Sequence, residues 1–155
     1  MPPGSRKQQP AALDAGLRLL AARSHSVAEL RQKLLRRRLA APEVDAAIAR
    51  LTALGYLDDA AFARGVVTRR AGSHGRAAIA AELAQKGVSR AIAAEALAGL
   101  DGEHETRAAL QLARRFERGG APAGERLQKL AGRLQRRGFS TEAVSAVIKV
   151  LAAAK

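Results

Sequence analysis

Cysteine and tryptophan are both absent from this 155-residue chain. Without cysteine there is no disulfide, no thiolate metal ligand and no thiol nucleophile, a pattern that fits a reducing compartment. Aromatic residues amount to 3% of the chain, one tyrosine and three phenylalanines. That is too few for a stacking platform that reads single-stranded bases. Val and Ile are sparse, which disfavours a sheet. Nowhere do eighteen apolar residues run together, and residues 1–10 lack the apolar stretch of an export signal. The expectation is a cytoplasmic protein with no membrane span. Acidic residues are also in short supply: 14 Asp and Glu against 27 Lys and Arg leave a formal charge of +13. Such an excess favours polyanions or partners with acidic surfaces.

What the chain has in abundance is Ala, Leu and Arg, all good helix formers. They are arranged in a repeat. Ile79, Leu83, Gly87, Val88, Ser89, Ala96, Leu97 and Leu100 recur about 51 residues later as Leu130, Leu134, Gly138, Phe139, Ser140, Val147, Ile148 and Leu151. About 49 residues earlier the same frame falls on Leu30, Leu34, Arg38, Leu39, Ala40, Ala47, Ile48 and Leu51. The expected architecture is all-α: three tandem three-helix repeats forming an elongated, curved array, each copy too small to be stable alone. Residues 1–10 read as a flexible basic arm, 11–55 as repeat 1, 56–101 as repeat 2 and 102–155 as repeat 3.

Punctuation supports the division. Ser26 followed by Glu29 has capping-box spacing, Pro42 suits the first turn of a helix, and Asp58 or Asp59 serves as an N-cap. Gly87-Val88-Ser89 and Gly138-Phe139-Ser140 are turns in which Gly takes the left-handed conformation, the apolar residue packs back and Ser caps the next helix. Arg38 stands where the first copy should have its glycine, so a looser first turn is expected. The segment Gly119 to Gly124 reads as a loose connector. Leu13, Leu17 and Leu20 form the predicted apolar face of the first helix.

No catalytic constellation is visible. His25, His74 and His104 have no metal-ligand spacing, and Gly72-Ser73-His74-Gly75 lacks the lysine of a phosphate loop. No cofactor and no enzymatic activity are expected. The arginines are the candidate functional residues: Arg31, Lys33, Arg36 and Arg37 on the second helix; Arg69, Arg70 and Arg76 around the start of the fifth; Lys129, Arg133, Arg136 and Arg137 on the eighth. They read either as basic patches that contact phosphate or acidic protein, or as a solvated face of snorkelling side chains. Tyr56, Phe62, Phe116 and Phe139 are all expected in packing.

The stretch Leu54-Gly55-Tyr56-Leu57-Asp58-Asp59-Ala60-Ala61-Phe62-Ala63, with Ser26-Val27-Ala28-Glu29-Leu30 before it and Leu83-Ala84-Gln85-Lys86-Gly87-Val88 and Leu134-Gln135-Arg136-Arg137-Gly138-Phe139 after it, resembles the RecX family of recombination regulators. The resemblance runs from about Leu13 to Leu151. It implies a protein that binds the RecA recombinase, or its filament on single-stranded DNA, and modulates its ATPase and recombination activities, most often by inhibiting them. It also implies that such a chain touches single- or double-stranded DNA weakly and without sequence preference. A monomer is expected. The hallmark residues are read as structural: Gly55 for a sharp turn, Tyr56, Leu57 and Phe62 for packing between repeats, Asp58 or Asp59 for capping, Gly87 and Gly138 for the turns. The rival reading is a sequence-tolerant DNA-binding protein that holds phosphates without RecA.

Overall fold

The computed structural model describes residues 10–117 and 123–154; most of the expected basic arm and of the Gly119 to Gly124 connector lies outside them. The described residues form nine helices and no strand: α1 (Ala11–Ala22), α2 (Val27–Arg36), α3 (Ala41–Ala53), α4 (Asp59–Arg70), α5 (Arg76–Gln85), α6 (Arg90–Leu97), α7 (Gly102–Phe116), α8 (Glu125–Arg136) and α9 (Thr141–Ala153). The contacts divide the chain into two compact units. The first takes the chain up to Phe62 together with Lys86–Val88, and the second takes Ala63–Gln85 and Ser89 onward.

In the first unit α1 packs on α3, and both hold α2. Leu30 and Leu34 of α2, Val44, Ala47 and Leu51 of α3, and Leu57 build the core. The part of α1 that is fully buried is small: Ala12 and Gly16. A Cβ at Gly16 would stand 2.8 Å from Leu51 Cδ1. The two helices therefore meet at a small-residue contact, and Leu13, Leu17 and Leu20 pack at its edges, partly buried. In the second unit α7 and α9 pack face to face with α8 against both, around Ala109, Leu112, Leu130, Leu134, Phe139, Val144 and Val147. Helices α5 and α6 pack on each other, with Ile79, Leu83 and Leu97 buried.

The caps are those that the residue types dictate. Ser26 accepts from the Glu29 N–H while Glu29 reaches back to the Ser26 N–H, a complete capping box. Asp58 accepts from the Ala61 N–H at 3.0 Å, Ser89 from Ile92 and Ser140 from Ala143. Asp101, which helical periodicity did not single out, caps α7 through the His104 N–H.

Two expectations are corrected. The turn after α2 is not looser than its counterparts: Arg38 has φ +61°, matching Gly87 at +74° and Gly138 at +84°. The glycines are needed elsewhere for a second reason. A Cβ at Gly87 would lie 2.4 Å from Ala28 Cβ, and one at Gly138 would lie 2.5 Å from Ala78 Cβ. Arg38 is exposed, with room for a side chain. The second correction is Tyr56, which does not pack between helices but is 59% exposed, whereas its neighbour Leu57 is 2% exposed. The N–H groups of both residues point to the Leu51 carbonyl, at 2.9 and 3.3 Å. This tight turn, with Gly55 at φ +81°, sends consecutive side chains in opposite directions, and Leu57 takes the core position.

Candidate partner-binding surfaces

The second helix is anchored at its start by a polar network. Asp59, free of the capping role because Asp58 has it, accepts from the Val27 N–H at 2.9 Å. The Ser26 hydroxyl donates to the Lys86 carbonyl. The Lys86 ammonium donates to Glu29 at 2.9 Å, and the Arg23 guanidinium reaches the same carboxylate at 3.4 Å. Burial by itself would raise the Glu29 carboxyl, but these donors and the Ser26 N–H outweigh it and hold the group at about 2. His25 is buried with Nδ1 2.9 Å from the Arg23 carbonyl and Nε2 3.1 Å from the Lys33 ammonium. A carbonyl accepts only, and an ammonium donates only. The ring is therefore neutral, with its proton on Nδ1. Burial, followed by the positive charges of Arg23 and Lys33, lowers its pKa.

These facts sort the first basic cluster. Lys33 serves His25, and Arg31 pairs with Asp45 at 2.8 Å with both side chains largely exposed. Arg36 and Arg37 are exposed at the end of α2, and their side chains have no hydrogen-bond or ion-pair partner among the described residues.

In the second cluster Arg70 holds Glu82 through two N–H groups at 3.0 and 3.3 Å. Arg76 donates to the Leu97 and Leu100 carbonyls, closing the open end of α6. Its own N–H is taken by Glu105 at 3.1 Å. Arg76 is thus a structural cation, a role that its place in a charge cluster did not reveal. Arg69 remains exposed with no partner among the described residues.

The third cluster has the most built geometry. The Arg133 guanidinium lies 4.0 Å from the centre of the Phe116 ring, and Arg137 stands 5.4 Å from it. Arg137 also donates to the Ser73 carbonyl at 3.2 Å. Lys129 pairs with Glu125 one turn away at 2.9 Å. An open depression of about 520 Å³ follows this face of α8, lined by Glu125, Gln128, Lys129, Gly132, Arg133 and Arg136. The apolar stripe of α8, Leu130 and Leu134, faces the core and leaves these residues outward.

Among the described residues no group of three His, Asp or Glu side chains converges as a metal would require. None of the described helices is long and apolar enough to cross a membrane.

Fold and surface define an all-helical protein of small three-helix modules with cationic faces. Residues 12–51 match the first three-helix domain of RecX and residues 58–97 the second. The chain is 43% identical to the regulatory protein RecX of Mycobacterium ulcerans, covering 96% of this chain and 88% of that one. It is 36% identical to that of Xanthomonas axonopodis pv. citri, covering 94% and 91%. The crystal structure of RecX from Lactobacillus salivarius superposes with a TM-score of 0.79 at 21% identity, over 91% of this chain and 94% of that one, and so shares the fold. The chain belongs to the RecX family of regulatory proteins.

Proposed function

We propose that this protein regulates the RecA recombinase by binding RecA or its filament on single-stranded DNA, and that it inhibits ATP turnover and recombination without carrying out a reaction itself. The observation that carries the reading is the match to regulatory RecX proteins along nearly the whole chain. The charge of +13 supports it, because a nucleoprotein filament offers both phosphate and acidic protein surface. Arg36, Arg37 and Arg69 are the exposed cations best placed to contribute beside those of α8. Association steered by such charges is fast and weakens with salt.

The test is single-stranded-DNA-dependent ATP hydrolysis by the cognate RecA, with this protein titrated in. Inhibition well below one copy per RecA, unrelieved by excess DNA, is the expected outcome. If activity falls only when the protein can coat the DNA, and returns when more DNA is added, the chain competes for phosphate and acts without RecA.

A further inference from the structure

The exposed face of α8 differs in kind from the other basic patches. Gln128, Lys129, Arg133 and Arg136 line it in successive turns, and Lys129 to Arg136 spans about 10 Å along the helix axis. The Arg133 guanidinium lies over the Phe116 ring, 4.0 Å from its centre. Stacking restrains the plane of a guanidinium while leaving its N–H edge free, so fewer rotamers must be frozen when an oxyanion arrives. Lys129 has Glu125 as its partner, but their side chains are 73% and 79% exposed. Such a pair gives way to a phosphate at little cost.

The face also lacks what a protein interface needs. The large apolar side chains exposed among the described residues are Leu54, Tyr56 and Val150, none of them on α8. The cores of protein interfaces are poor in charge and depend on aromatic or aliphatic anchors. Phosphate contact needs neither.

From these features we infer that the outward face of α8 is a phosphodiester-binding surface, with Lys129, Arg133 and Arg136 contacting successive backbone phosphates of a nucleic-acid strand and the Phe116-stacked Arg133 as its fixed centre. This deepens the RecA reading by assigning the DNA half of the contact to α8 and leaving the protein half to other surfaces.

The experiment is fluorescence anisotropy of a labelled oligothymidylate with this protein and no RecA, across a series of salt concentrations. The variants are the triple substitution Lys129→Gln, Arg133→Gln, Arg136→Gln and a charge-matched control at exposed positions outside the clusters, Arg18→Gln, Arg90→Gln, Arg107→Gln. Circular dichroism and melting establish that each is folded. Three lost single-strand contacts are expected to reduce the slope of log K against log salt by about 2. The control is expected to leave the slope near that of the parent. Arg133→Lys, which keeps the charge and loses the planar stack, is expected to weaken binding several-fold with little change in slope. An unchanged slope in the α8 triple variant, or an equal drop in the control, overturns the assignment. RecA ATPase inhibition by the same variants is read separately. If inhibition survives while the DNA slope drops, the assignment stands. If inhibition is lost while the slope is unchanged, α8 touches protein and the assignment falls, with the RecA reading intact.

Discussion

Arg38 and Gly138 stand at the same step of the same turn with nearly the same backbone, yet substitution should act on them in opposite directions. At Arg38 a non-glycine residue holds a positive φ in open surroundings. Arg38→Gly relieves a left-handed conformation that costs an L-residue roughly 1–2 kcal/mol, against roughly 0.5–1 kcal/mol of added chain entropy, so a gain of about 0.5–1 kcal/mol is expected. At Gly138 a methyl group meets both the positive φ and Ala78 at 2.5 Å. Gly138→Ala is therefore expected to cost about 2–5 kcal/mol, strain and overpacking together. Urea unfolding of the two variants measures both, and equal effects would remove the close approach as the reason for glycine. Tyr56 is the other informative residue. Being exposed, it should tolerate Ala within about 0.5 kcal/mol, as surface positions usually do. A fall in melting temperature like that of a core truncation would contradict the exposed placement.

Helix order and ends were legible because they depend on local signals: Ser26, Ser89 and Ser140 cap from within three residues, and Leu30, Leu34, Leu83, Leu130 and Leu134 repeat with the helical period. What was not legible depends on partners far along the chain. Nothing near Arg76 points to the Leu97 carbonyl, nothing near Asp59 to the Val27 N–H, and nothing near Phe116 to Arg133. The basic candidates were found as charges, but which of them are bound to the protein itself is three-dimensional information. An aromatic residue beside a leucine reads as core in Tyr56-Leu57, yet the tight turn admits only Leu57 to the interior. The network at the start of α2 has a consequence for acid stability. Glu29 is held below its unfolded range, so its contribution is complete above about pH 4.5 and is lost as pH falls toward about 2. His25 is also lowered, so its share is present above 6.5 and declines below it. Glu29→Gln is expected to cost about 3 kcal/mol at pH 7 and to approach the parent near pH 2. Urea midpoints measured from pH 7 to 2 check this, and a difference that does not shrink with acid would sink the role given to Lys86 and Arg23.

Over the whole molecule, unmatched positive charge outweighs paired charge. The pairs Arg18–Asp14, Arg31–Asp45, Arg107–Glu103 and Lys129–Glu125 are all well exposed and contribute little each. The excess of +13 repels itself in the compact state. Adding sodium chloride from low ionic strength to about 0.5 M is thus expected to raise the melting temperature, since screening relieves more repulsion than attraction. A fall in melting temperature with salt would show that the ion pairs matter more than this balance allows.

The register of long-range bonds also has a direction. Ser26 reaches forward to Lys86, Val27 to Asp59, Gly75 to Arg137 and Arg76 to Glu105. The starts of α2 and α5 are thus completed by residues made later, and the first compact unit includes Lys86–Val88. On the ribosome this becomes a delay. The chain leaves α2 without its Lys86 partner until some fifty further residues have been added, about 3 to 10 s at roughly 5–20 residues per second. During that interval Leu30 and Leu34 have neighbours on α1 and α3 but no lock from Lys86. The order in which the protein is born is thus set against the order in which it is fastened.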